Sequence, residues 1–408
     1  MPATATQHRD LRTGTPVWLD DRRPLRIRVA GLDRALAADC AVIGAGVTGA
    51  LVTDALLTAG RRVVVLDRRG PLKGATPAST ALLQFELDTP LTDLARAVGR
   101  ERAARVWWRS AAAVSRIRER IADLGLRCAF AERPVAYLPG NLLDVAGLRA
   151  EAALRARLGL RSRFADRTDL RALTGLDRPG AIWSQGAAEL DPVAFVGGLW
   201  RSCLARGAVL HAPVDVCGID PGRDSVRLDT DSGHPVHARH VVFATGFELP
   251  KPARPRGYKV ISTWALATPP QRRVPWRSRC LIWEAADPYL YARTTCDNRI
   301  VAGGEDEEFA DEATRDAAIP RKTAAILAKL SRLVPGITAR AGTAWAGCFG
   351  TSPNGMPAIG RIPGMNRCHA VLGFGGNGIT FSAIAARMIA RDIDGIADPD
   401  ADLFAIRS

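Results

Sequence analysis

Apolar positions change their period along this chain, and each change marks a structural element. Residues 38–70, "ADCAVIGAGVTGALVTDALLTAGRRVVVLDRRG", open on the continuous apolar run "CAVIG". Such a run is the pattern of a strand buried on both faces of a parallel sheet. "VTGALVTDALLTAG" then reads as a helix that stops at Gly60, and "RRVVVLD" as a second buried strand. Together they predict a βαβ unit of about 30 residues. From Thr89 to Gly125 the period is helical: Val114, Ile117, Ile121 and Leu124 recur at spacings of three and four, and Arg109, Arg116, Arg118 and Arg120 mark a solvated side.

Further along, "CAFAERPVAYLP" reads as a strand and "DVAGLRAEAALRARLG" as an amphipathic helix. "DPVAFVGGLWRSCLARGAVL" reads as helix then strand, and "HARHVVFATGFELP" as a strand ending in Ala-Thr-Gly. Residues 251–304, rich in proline and aromatics, alternate as antiparallel strands do. Residues 305–334 return to the helical period, and 345–360 are rich in glycine and proline. A strand, "CHAVLGF", a glycine loop and the helix "GITFSAIAARMIARDI" follow. Residues 1–35, with Pro2, Pro16 and Pro24, read as an extended lead-in, and no internal repeat is visible.

Composition narrows the class. A chain of 408 residues, 47% apolar and 24% charged, has material for two globular domains. No stretch approaches the ~20 apolar residues of a membrane span. The opening "MPATATQHRDLRTGTPVW" lacks the apolar centre of a signal peptide, so the expected compartment is the cytoplasm. Eight cysteines stand singly with no CxxC pair, which argues against a zinc knuckle and fits reduced thiols. The net charge of +14 raises a nucleic-acid partner, but the basic residues are spread as singles and pairs, and only five of the 56 are lysine. Nucleic acid is therefore not expected.

Gly44, Gly46 and Gly49 in "GAGVTG" match GxGxxG, a weak signal alone. Here it follows a strand, opens a helix and leads to Asp67 at the tip of the next strand, which makes it a dinucleotide fingerprint. Gly44 permits the turn, Gly46 admits the pyrophosphate, Gly49 lets helix and strand pack, and Ala45, Val47 and Thr48 complete the helix entry. Asp67 would accept a ribose hydroxyl, with Arg68 and Arg69 beside it. The fingerprint leaves NAD and FAD open. Three later pieces bear on the choice: "VVFATG", with Thr245 and Gly246; "GATPASTALL", residues 74–83, with small hydroxyl residues suited to a flat ring; and "LGFGGNGITFS", residues 372–382. The last is a second glycine loop at a helix N-terminus, more apt for a long cofactor with two ends.

These pieces resemble the D-amino-acid oxidase-like superfamily of FAD-dependent oxidoreductases, which includes glycine and sarcosine oxidases, and look nearest to gamma-glutamylputrescine oxidoreductase-like members. The resemblance spans about residues 36–395. Its more specific parts are "WAGCFGTSPNGMPAIG" (345–360) and "GFGGNGITFS" (373–382), similar to the family's W-x-G…T-P-D-G-x-P-x-I-G and G-F-x-G-H-G. Two positions depart: Asn354 stands where Asp is usual and Asn377 where His is common. The resemblance implies that the cofactor is FAD, that Val214 offers its backbone to the adenine, and that Ala75, Thr76, Ser79, Thr80 and Leu82 run beside the flavin. It also implies that Gly373, Gly375, Gly376, Asn377, Gly378, Ile379 and Thr380 approach the flavin's pyrimidine edge. Two further expectations follow from it. Cys348 is offset by one residue from the position where some relatives tether the flavin, so a non-covalent flavin is expected. Val301 falls where oxygen-using relatives carry a lysine, so oxygen is expected to be a poor electron acceptor.

Two other clusters carry less. In "HPVHARH" an extended strand points His237 away from His234 and His240, so no metal site is expected. The acidic run "EDEEFADEATRD", 305–316, would attract a cationic amine or, more simply, form an exposed helix N-terminus.

The expected architecture is α/β: a discontinuous Rossmann-like FAD-binding domain (36–90, 190–255 and 342–408) with an inserted α+β, mostly antiparallel substrate domain (91–189 and 256–341). The expected activity is oxidation of the C–N bond of an amine or amino acid by hydride transfer to flavin N5, giving an imine that water hydrolyses. Substrate-facing candidates are Tyr289, Tyr291, Arg293 and Gln84; the electron acceptor is open. Rival readings are a flavin-dependent tRNA-modifying enzyme, a protein using FAD structurally, and an NAD(P)-dependent dehydrogenase.

Overall fold

The computed structural model describes residues 5–20, 25–251, 253 and 255–407. Pro2 and Pro24 of the lead-in lie outside the described residues. The apolar runs that read as buried strands assemble into one sheet in the order Ala358–Arg361, Cys368–Leu372, Val236–Phe243, Leu36–Ile43, Val63–Leu66, Val209–His211. Along this path all neighbours pair in parallel except the first two, and off it Val226–Thr230 pairs antiparallel with both Val236–Phe243 and Val216–Pro221. Parallel strands need coverage on both faces, and helices Val47–Thr58, Pro192–Ala205 and Gly378–Ile393 pack together on one of them.

A second sheet is built mostly from antiparallel pairs. Its order is Arg12–Gly14, Thr343–Thr351, Lys259–Ala267, Ile300–Glu307, Leu290–Thr294, Leu281–Glu284, Ala131–Leu138, Gly180–Glu189, Leu82–Leu83, with Ser162–Asp166 beside Gly180–Glu189. One pair departs from the expected alternation: Leu281–Glu284 runs parallel to Ala131–Leu138. Helix Ile319–Leu333 lays Ile326, Leu330 and Leu333 on one face of this sheet, where Trp264 and Ile282 are buried.

Two expectations about surface charge need correction. Arg109 is not simply solvated; it is held by Asp400 at 2.5 Å and by Asp398. Arg120 likewise donates to both oxygens of Asp54, from Nε at 2.8 Å and Nη2 at 2.7 Å. The acidic run is not one exposed helix start: strand Ile300–Glu307 takes its first three residues, Glu305 is buried against Lys322 and Lys329, and only Asp311 caps a helix, accepting from Thr314 N–H. A helix period cannot report a strand that overruns into it.

The lead-in is tied down. Ala5 N–H donates to Val216 and Lys251 N–H to Ala5, Gln7 N–H donates to Leu249, and Arg12–Gly14 pairs with residues 345–347 of the second sheet. It therefore crosses from one sheet to the other.

Candidate active site

The turn after strand Leu36–Ile43 is shaped by glycine. Gly44 has φ +112°, and a Cβ there would lie 2.4 Å from Ala244 O. At Gly49 a Cβ would lie 1.9 Å from Gly44 O, so helix and turn touch through bare backbone. Asp67, at the tip of the next strand, closes the motif. Its carboxylate accepts from Ala45 N–H at 2.6 Å, Arg69 N–H at 2.8 Å and Gly70 N–H at 2.6 Å. Burial outweighs these bonds and raises its carboxyl above the ordinary range.

One cavity runs from this turn to the second sheet. On the parallel-sheet side its walls hold Gly44, Gly46, Val47, Thr48, Asp67, Arg68, Arg69, Val214, Thr245 and Gly246. Between the sheets they hold Ala75, Thr76, Ser79, Thr80, Leu82 and Gln84, and on the glycine-loop side Gly375, Gly376, Asn377, Gly378 and Ile379. The second sheet contributes Tyr289 and Tyr291. These predicted residues, remote in sequence, share one space.

Five do not reach the wall. Ala45 is buried, its carbonyl accepting from Trp200 Nε1 at 3.0 Å. Gly49 is spent on packing, Gly373 on a turn with φ +70° beside the Tyr258 ring, and Thr380 on a hydrogen bond to Gln84 O. Arg293 is buried behind the wall, donating to Thr80 O at 2.7 Å and Leu190 O at 2.8 Å, with Glu189 at 3.4 Å and Trp18 beneath it. A guanidinium so enclosed supports the wall and does not face a ligand. Val214 does face the cavity, but its N–H is committed to Asp67 O. Val301 is also turned away, packed with Trp18, Ala265 and Trp345; Thr263 occupies the wall in that region. A residue's face on a strand depends on bulges, and the strand carrying Thr263 has one between Ser262 and Trp264.

The second glycine loop is pinned by a ladder. Gly376 N–H donates to Asp88 at 2.8 Å, Asn377 Nδ2 to Glu86 O at 2.9 Å, and Thr380 Oγ1 to Gln84 O at 2.9 Å. Alternate residues 84, 86 and 88 thus hold the loop and the first turn of its helix. Glu86 is itself fixed by fully buried Arg155 at 2.7 Å and by Ser184 at 2.8 Å. The amphipathic reading of helix Val145–Arg157 did not anticipate that Glu151 and Arg155 are buried. Asn354 tolerates its unusual position because its Oδ1 accepts from Met356 N–H and Ser352, a role a carboxylate would also fill.

Sequence reasoning missed Asp88, Trp283, Thr263, Glu248, Asp215, Leu11 and Thr6, all on the wall. Tyr289 donates its hydroxyl to Asp306 at 2.7 Å, and burial raises the Asp306 carboxyl to about 6. The doubled glycine of "VAGGE" was an available signal: Gly303 faces Tyr291 across the strands, and a Cβ there would lie 2.2 Å from the Tyr291 hydroxyl.

A dinucleotide fits this cavity. Glycines line both ends where Cβ atoms would intrude, helix N-termini face it from two sides, and Thr245 Oγ1 is buried on its wall with no hydrogen-bond partner. Comparison with known proteins agrees. The family model described as DAO, FAD dependent oxidoreductase, matches residues 39–391. The chain is 24% identical to the probable oxidoreductase OrdL of Haemophilus influenzae, covering 88% of this chain and 83% of that protein. It is likewise 24% identical to gamma-glutamylputrescine oxidoreductase of Escherichia coli K12, covering 90% and 86%. A crystal structure of glycine oxidase from Geobacillus kaustophilus superposes with a TM-score of 0.75 at 18% identity, over 91% of this chain and 99% of that one, a likeness of fold.

Proposed function

The chain belongs to the DAO family of FAD-dependent oxidoreductases, and on that premise we propose that it oxidises the C–N bond of a small amine or amino acid. The observation that carries this reading is the continuity of one cavity from the fingerprint turn to an aromatic wall. FAD, when bound, supplies the acceptor for the hydride that leaves the carbon bearing nitrogen. The chain's part is placement. Gly44, Gly46 and the helix entry at Val47 would take the phosphates, and Asp67 a ribose hydroxyl through its remaining lone pairs. Residues 75–82 would hold the ring, and the loop Gly375–Gly378 would aim at it the backbone N–H groups other than that of Gly376, which Asp88 holds. Tyr289, Tyr291, Thr263 and Gln84 line the remaining volume, where a substrate would sit shielded from bulk water.

We assign the FAD-binding domain to residues 36–90, 190–255 and 342–408 and the substrate domain to the intervening segments. In support, the parallel sheet draws its strands from the first set. We place the enzyme in the cytoplasm: no helix among the described residues is long and apolar enough to cross a membrane, and the eight cysteines are free thiols. The test is anaerobic absorbance of the FAD-loaded protein against a panel of amines and amino acids. Bleaching of the flavin bands by at least one compound is expected; a fully loaded protein that no member of a broad panel bleaches would refute the reading.

A further inference from the structure

We propose, resting on that reading of amine oxidation, that the inner wall of the cavity is an ammonium site centred on Asp88. The substrate would be cationic there and carry no carboxylate beside the carbon that is oxidised. The charges on the wall argue for this. Among the described residues that line the cavity, the cations are Arg68 and Arg69, both next to Asp67 and far in topology from the aromatic wall. Both are already paired: Arg69 with Glu248 at 2.7 Å, Arg68 with Asp215 at 3.2 Å. Arg293, which would be the natural partner of a substrate carboxylate, is buried behind the wall against Glu189. An α-carboxylate entering here would lose its water and meet no free cation, which is costly.

A cation meets the opposite. Asp88 projects into the cavity with one oxygen held by Gly376 N–H, which orients the carboxylate. Trp283, Tyr289 and Tyr291 put three aromatic rings on the same cavity, and ring faces attract ammonium groups. Trp283 is held by stacking on Tyr137, with ring centroids 3.9 Å apart. Tyr289 has given its proton to the hydrogen bond with Asp306, so its oxygen presents only lone pairs to a ligand. Asp306 itself is buried behind the ring, with Thr263 also beside its carboxylate, and adds a second acidic group to this side of the cavity. Burial raises the carboxyls of both Asp88 and Asp306, and the charge of Asp88 adds to the rise at Asp306, so an arriving cation favours their ionised forms.

The experiment titrates FAD-loaded protein with tetramethylammonium and with acetate, by calorimetry and by the flavin difference spectrum. Tetramethylammonium is expected to bind and acetate not. Asp88→Asn, which keeps an acceptor for Gly376 N–H, is expected to weaken the cation about tenfold or more. Trp283→Leu, remote from the glycine loop, is expected to weaken it also, so the proposal stays testable if Asp88→Asn loses flavin. Acetate binding with no cation binding, or cation binding unchanged in both variants, overturns the ammonium site. Bleaching of flavin by α-amino acids alongside failed cation binding overturns it too, yet leaves amine and amino-acid oxidation standing. Cation binding in a protein that nothing bleaches supports the site and sinks the oxidation reading.

Discussion

Two side chains on or behind the cavity wall have chemistry set by burial. Cys348 lies on the wall with its thiol on Leu11 O at 3.8 Å, and burial pushes that thiol up to about 11. The nucleophile is the thiolate, scarce here at neutral pH, so the flavin should not be tethered. Acid precipitation is expected to leave a colourless pellet and all the FAD in the supernatant; a yellow pellet lost in Cys348→Ala would contradict this. Asp306 gives a stability prediction with a definite sign. Its carboxyl is raised to about 6, so protonation is easier in the folded protein than in the unfolded chain. Below the ordinary aspartate range both states are neutral and nothing is lost; as pH rises through 6 the folded state bears a poorly hydrated charge. Asp306→Asn, which can still accept from Tyr289, is therefore expected to melt higher than the parent at pH 8. The gain would be on the order of 1 kcal/mol or a few degrees, vanishing by pH 4. Thermal melts at the two pH values check it.

At the level of elements, the glycine turns were the most readable part of the sequence and the strand faces the least. GxGxxG followed by Asp67 is local, and its geometry follows from three missing Cβ atoms. The ladder from Gln84, Glu86 and Asp88 to the second glycine loop joins segments almost 300 positions apart, and no local pattern announces it. Arg293, from "PYLYARTT", and Val301, from the family resemblance, are expected at the site, but they face each other across strands Leu290–Thr294 and Ile300–Glu307 and pack behind the wall around Trp18, a placement set by tertiary packing that no local pattern reports. Gly46→Val and Gly376→Val should each cost flavin. A Cβ at Gly46 would press Thr76 Oγ1 at 3.1 Å, which holds Val47 N–H, and one at Gly376 would meet Asp88 at 2.9 Å. The expected readout is a lower ratio of flavin to protein absorbance after purification, with far-ultraviolet dichroism unchanged. A Gly376→Val protein with full flavin and an unaltered spectrum would remove the loop from the site.

For the molecule as a whole, the charge arrangement bears on what accepts the electrons. No lysine lies on the cavity wall among the described residues: Lys259 pairs with Glu308 and Lys322 with Glu307, both at 2.7 Å. Placing Val301 away from the cavity changes the residue but keeps the consequence, since Thr263 on the wall is uncharged. A preorganised charge beside reacting atoms is commonly worth about 3 kcal/mol, hence on the order of a hundredfold in rate. Substrate-reduced protein is expected to reoxidise far more slowly in air-saturated buffer than with a quinone or dye. Stopped-flow reoxidation by oxygen as fast as turnover, with matching peroxide release, would reverse this.

The lead-in that crosses between the sheets, with Thr6 and Leu11 on the cavity wall, also sets an order of events during synthesis. Its partners at Val216, Leu249 and Gly347 are made much later than the segment itself. At ~5–20 residues per second the delay runs to roughly a minute at most. Until those partners are made the segment has none on either sheet, and it brings Thr6 and Leu11 to the cavity wall only once it docks. Nascent chains supplied with FAD would close over it, whereas chains finished without it must loosen the segment again to load. Cells starved of riboflavin should therefore yield empty protein that takes up added FAD slowly, and deletion of residues 1–14 should speed both uptake and loss.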